Sequence, residues 1–187
     1  MGKTHDNSIR ENFLEMTFAY LVSNGLENTS VRNLCKSTGI STGSVYYWFK
    51  DGKDELFIEA AKYGLEKIIR NMFRYSLDNI QNLKNFFDNS LETVEEYKKQ
   101  LRFICQMATS MAYGEEIRKA VFDIKSECYD YITQLAEKLG SDVQTVEPLV
   151  QLYISFIINF IMWGNKTDTK ENFSRLYEFA KMQIGCD

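Results

Sequence analysis

Between Ser41 and Lys53 the chain collects side chains suited to hydrogen bonding with a polar, charged partner. Ser41, Thr42, Ser44, Tyr46 and Tyr47 carry hydroxyls, Trp48 an indole N–H, and Lys50 and Lys53 ammonium groups, with Gly43 among them. Hydroxyls, amines and amphipathic rings of this kind donate to phosphate oxygens and pack on sugars, while the shorter polar side chains can reach base edges. Catalytic chemistry is poorly served elsewhere. His5 is the single histidine and lies near the N-terminus, so neither a Ser/His/Asp arrangement nor a His-rich metal site can be assembled. Cys35, Cys105, Cys128 and Cys186 are far apart with no CxxC pair, as expected for idle reduced thiols. The adjacent acids Asp54-Glu55, Glu95-Glu96 and Glu115-Glu116 point in different directions on a helix and read as caps or solvated faces. No glycine-rich phosphate loop follows a strand. No catalytic residue, metal or cofactor is expected.

The polar and aromatic cluster needs a scaffold, and residues 29–49 provide one. Val31, Leu34 and Cys35 mark a short helix that Gly39 stops, because glycine takes positive φ without a Cβ clash. Ile40 returns to the core, and either Ser41 or Thr42 can cap a second helix. Spacing places Val45, Tyr46 and Phe49 inward, and Thr42, Ser44, Tyr47 and Trp48 outward. A helix-turn-helix that enters a major groove has this composition, although an αα-hairpin in an ordinary bundle shares the two-helix pattern.

Charge constrains that reading. The chain carries a net charge of −4. Residues 1–60 hold six basic side chains against eight acidic ones, so any attraction to an anion is local. Arg32, Lys36, Lys50 and Lys53 flank the second helix. The first residues lack a signal-peptide core and no apolar run is expected to span a bilayer, so the cytoplasm is the expected location.

One proline and ten glycines leave few breaks, which points to an all-α protein. Residues 1–7 read as a frayed arm and Ser8–Asn24 as an amphipathic helix. A helix over about Lys53–Tyr75 connects two domains, 1–52 and 53–187. Segments Leu83–Val94, Leu101–Met111 and Ile117–Leu139 follow as separate helices. Pro148 is placed in the first turn of a helix apolar nearly all round, and Glu171–Ile184 forms the last. These two offer more apolar surface than one chain can bury, which implies a homodimer through a four-helix seam. Aromatic and methionine side chains of the second domain suit an adaptable pocket, with Phe73, Phe87, Phe103, Met107, Met111, Phe122, Tyr129, Tyr153 and Phe156 as candidate lining.

The run Phe13-Leu14, Thr17, Leu21, Gly25, Thr29-Ser30, Leu34, Gly39-Ile40-Ser41, Gly43, Val45-Tyr46, Phe49, Lys53 and Leu56-Phe57 resembles the N-terminal signature of the TetR family of bacterial transcriptional regulators. The resemblance implies an N-terminal three-helix DNA-binding domain, a connecting helix and a ligand-binding and dimerisation bundle of about five helices, about nine in all. It implies a homodimeric repressor that binds a double-stranded DNA operator and is released by a small-molecule effector. It also implies DNA-facing positions for Thr42, Gly43, Ser44, Tyr46, Tyr47 and Trp48, phosphate contact by Lys53, and similar roles for Ser30 and Arg32. Three residues, rather than the family's usual two, separate Phe49 from Lys53, so Lys50 is an alternative phosphate contact. A helical protein-interaction module that keeps the fold without binding DNA is the rival reading.

Overall fold

Long stretches of this sequence hold nothing that stops a helix, and the computed structural model is helical almost throughout. It describes residues 2–78 and 83–184, without the side chains of 2–6, 73–78, 83, 85, 88, 90 and 125–128. His5, Phe73, Cys128 and Cys186 therefore lie outside the described side chains. Eight helices run in order among the described residues: α1 (Gly2–Asn24), α2 (Val31–Thr38), α3 (Thr42–Trp48), α4 (Lys53–Asp78), α5 (Leu83–Thr109), α6 (Gly114–Lys138), α7 (Val143–Trp163) and α8 (Lys166–Ile184). The fold is all-α, as expected.

The count is eight rather than about nine because Leu83–Val94 and Leu101–Met111 fall on one helix, α5. Residues 95–100, EEYKKQ, contain no breaker and are mostly good helix formers, so the helix continues through them. The expected frayed arm is also helical, from Gly2.

The chain divides into two compact units, Met1–Lys67 with Phe103–Val121, and Ile68–Arg102 with Phe122–Asp187. In the first unit Phe13, Leu21, Leu34, Val45, Phe49, Leu56, Phe57, Met107 and Ile117 are fully buried. Gly64 of α4 lies against the Phe18 ring of α1, where an added Cβ would meet Cδ1 at 2.4 Å. Glycine is thus required there by the close approach of the two helices. Phe18 also meets Phe103 edge-on at 6.1 Å.

In the second unit Phe86, Phe87, Tyr153 and Phe173 form a ring cluster with centroid spacings of 5.4–5.7 Å. α7 and α8 pack along each other. The end of α7 is held by Arg102, whose Nε and Nη2 donate to the Ile161 carbonyl at 3.0 and 2.8 Å. A cation at a helix C-terminus also complements the helix dipole.

Both helices start earlier than spacing suggested. Asp142 caps α7, accepting from the Thr145 N–H at 2.8 Å, so Pro148 sits inside the helix rather than in its first turn. Asn165 Oδ1 accepts from the N–H groups of Thr167 and Asp168 at the start of α8. The earlier start makes α7 long and apolar enough to cross a bilayer by length and composition, contrary to expectation. Val146, Leu149, Val150, Tyr153, Ile157, Phe160 and Ile161 are nevertheless buried on one side of it.

Candidate nucleic-acid interface

Two caps and one glycine set the geometry of the α2–α3 segment. Ser30 is extended (φ −128°, ψ 153°) and its Oγ accepts from the Asn33 N–H at 3.2 Å, which starts α2. Gly39, at φ 74°, ends it by donating to the Cys35 carbonyl at 2.9 Å. Of the two candidate caps, Ser41 starts α3, its Oγ accepting from the Ser44 N–H at 3.1 Å. Its hydroxyl also lies 2.9 Å from Ser44 Oγ. Thr42 reaches back to α2, donating to Cys35 Sγ at 3.7 Å.

Val45 and Phe49 are fully buried and seat α3 on the core. A helix turns about 100° per residue, so Trp48, three positions after Val45, falls on the same side. Trp48 is accordingly half-buried, its ring 6.0 Å from Phe13, and Tyr46 is exposed. This corrects the expected facing of both residues. Tyr47 is 72% exposed, opposite Val45, with Thr42 and Gly43 also exposed and Ser44 half-buried. A Cβ on Gly43 would meet only Ser41 Oγ, at 3.8 Å. Among the described residues nothing demands glycine there, and its surface is open to a close approach.

After α3 the chain turns through Lys50–Gly52 into α4. The Asp51 N–H donates to Glu55 Oε2 at 2.8 Å, and Gly52 takes φ 83°. Lys53 is the first residue of α4, exposed, with Nζ 5.0 Å above the Phe57 ring. Arg32, Lys36 and Lys50 are also exposed. The outward surface of the segment therefore offers four cations, three hydroxyls on α3 (Thr42, Tyr46 and Tyr47) and one open glycine. That is a set able to hold an anionic backbone while shorter groups reach base edges.

Residues 13–60 match the family described as bacterial regulatory proteins, tetR family. That segment is of the TetR-family N-terminal type. Among curated proteins the chain is similar to the HTH-type transcriptional regulator YxaF of Bacillus subtilis, 33% identical over 69 residues, which is 37% of this chain and 36% of that protein. It is also similar to the HTH-type transcriptional repressor KstR2 of Mycobacterium tuberculosis, 29% identical over 98 residues, 51% of this chain and 48% of the other. The matches thus span half or less of the length of these relatives. In fold it is similar to a TerR/AcrR-family transcriptional regulator from Aquifex aeolicus, at a TM-score of 0.57 and 19% identity, covering 92% of this chain and 98% of that one.

One side chain that sequence spacing missed reaches the start of α4. Tyr113 Oη donates to Asp54 Oδ1 at 2.9 Å, and its ring lies 6.5 Å from that of Phe57. Burial, and then the bonded Asp54 carboxylate, push its hydroxyl up to about 12. Only the isolated Tyr-Gly before an acidic helix start hinted at it, and that signal is too common to assign.

The candidate pocket residues divide between the two units. Phe103 and Met107 are buried in the first unit, where Met111 is fully exposed. Phe122 and Tyr129 are exposed in the second. Phe87, Tyr153 and Phe156 do converge, around Phe173, which sequence reading placed only in an apolar stripe. A cavity of about 320 Å³ opens beside them, lined by Lys84, Phe87, Phe173, Ser174, Arg175, Tyr177 and Glu178.

Proposed function

We propose that the protein is a transcriptional repressor that binds a palindromic double-stranded operator as a homodimer and is released by a small-molecule effector. The observation that carries this reading is the outward display of Thr42, Gly43, Tyr46 and Tyr47 from a capped two-turn helix seated by Val45 and Phe49, in a segment of the TetR-family N-terminal type. Thr42, Ser44 and Tyr46 read base edges, while Arg32, Tyr47, Lys50 and Lys53 fix register on phosphates. Ser30 and Ser41 hold the helix starts, and Trp48 braces α3 against Phe13. The working division is residues 1–52 for DNA and 53–187 for ligand and dimer, acting in the cytoplasm.

The dimer reading is supported by exposed apolar side chains on the last two helices. Ile154, Ile158 and Met162 repeat every four residues along α7, and Phe179 and Met182 stand out from α8. A second copy of the same surface covers them in a four-helix seam. The effector reading is supported by the cavity at the Phe87–Phe173 cluster, whose volume is at the small end of ligand sites. An effector that lowers operator affinity 100-fold needs about 2.7 kcal/mol of differential affinity for the released state.

The net charge of −4 favours a second reading, a protein-interaction module that keeps the fold without binding DNA. Titration of the full chain with random-sequence duplex at low salt separates the two. The repressor reading expects salt-sensitive binding. Absence of binding leaves only the interaction module.

A further inference from the structure

We propose that Tyr113 is a positioning residue for DNA binding, acting through Lys53 by fixing Asp54 and Phe57 at the start of α4. The proposal rests on the DNA-binding reading above. Two contacts from one side chain meet at this point. The Tyr113 hydroxyl donates to Asp54 Oδ1 at 2.9 Å, across 59 residues of sequence. Its ring packs 6.5 Å from the Phe57 ring, over which the Lys53 ammonium sits at 5.0 Å.

Tyr113 is itself well held. Its N–H donates to Ser110 Oγ at 3.0 Å, and its carbonyl accepts from the N–H of the fully buried Ile117. Further along the same pair of helices, Lys62 Nζ bonds Glu116 Oε2 at 3.1 Å. The first half of α4 is therefore tied at two places, to the residue before α6 and to the first turn of α6.

The chemistry explains what the tie does for Lys53. Asp54 is next to it in sequence, and an unoccupied carboxylate there competes with phosphate for the ammonium. A hydroxyl donated to Oδ1 occupies that carboxylate and turns it toward Tyr113. The Phe57 ring, braced by Tyr113, offers its face to the ammonium and limits where a long flexible side chain can go.

The test uses the full chain and a random-sequence duplex, with affinity measured across a salt series and thermal unfolding recorded for each variant. Tyr113→Phe keeps the ring and removes the hydroxyl. It is expected to weaken binding roughly 3- to 10-fold and to flatten the salt dependence by up to about one counterion. Asp54→Asn, which still accepts the hydrogen bond but carries no charge, is expected to keep wild-type affinity or exceed it. In a Lys53→Ala background Tyr113→Phe is expected to have no further effect on binding. An equal loss in that background, or an unchanged affinity in Tyr113→Phe, overturns the proposal. So does a Lys53→Ala variant that binds like wild type, since nothing is then left to position. A wild-type chain that ignores DNA removes the repressor reading first, and is distinguishable because it fails before any substitution is made.

Discussion

α3 and the α7–α8 pair both leave large side chains in water, but different kinds. Tyr46 and Tyr47 end in hydroxyls and stand on a helix whose other side is fixed by Val45 and Phe49. Ile154, Ile158, Met162, Phe179 and Met182 have no polar tip, and they repeat along helices of 21 and 19 residues. A ring with a polar end suits a wet partner that offers acceptors. A bare aliphatic stripe suits another apolar surface, because only burial lowers its free energy. The proposed function assigns the first face to nucleic acid and the second to another copy of the chain.

The contrast can be broken most sharply on the apolar side. Ile158→Glu places a carboxylate in the proposed seam and should weaken dimerisation by roughly 3–5 kcal/mol. Sedimentation should show monomers, and operator affinity should fall with them although α3 is untouched. A variant that remains dimeric would move the seam elsewhere.

A smaller effect is expected within the first unit. Gly64→Ala drives a methyl group into the Phe18 ring, and overpacking of that kind costs about 1–3 kcal/mol. Calorimetry should show a lower unfolding temperature. Ser41→Ala removes the oxygen that accepts from the Ser44 N–H and should cost about 1 kcal/mol. The loss should appear as amide exchange confined to α3 and as weaker DNA binding, with the dimer intact.

The smallest effect concerns α7 and pH. Asp142 is held below its ordinary value of 3.8, chiefly by the Thr145 N–H and then by the Thr145 hydroxyl. A lowered folded-state pKa stabilises the folded form above the ordinary value, and that contribution is lost as pH falls through the lower one. Asp142→Asn keeps a capping oxygen but does not titrate, so it should remove this part of the acid-unfolding curve below about pH 4.

Helix boundaries were legible where the stop is local and chemical. Gly25, Gly39 and Gly140 all take positive φ at helix ends that spacing had marked. Pro148 is the conspicuous signal near the start of α7, but Asp142 and Thr145 define the cap. The α3 faces were misjudged at Tyr46 and Trp48. Treating adjacent aromatics as a cluster obscured the three-residue step from Val45 that puts Trp48 against Phe13. Tyr113 was beyond reach in principle, since its partner lies 59 residues away and no local pattern encodes the contact. The division of the candidate pocket residues between the two units has a related cause. Composition identifies rings, but only tertiary packing decides that Phe103 meets Phe18 while Phe87 meets Tyr153 and Phe173.

Selection of duplexes from a random pool by the full chain tests the central claim most directly. The account predicts enrichment of inverted repeats whose half-sites lie about 34–36 Å apart, or a multiple of one turn. It also predicts that Ile158→Glu abolishes the repeat symmetry. A pool that emerges unenriched, or enriched in single half-sites by the wild-type chain, would contradict it.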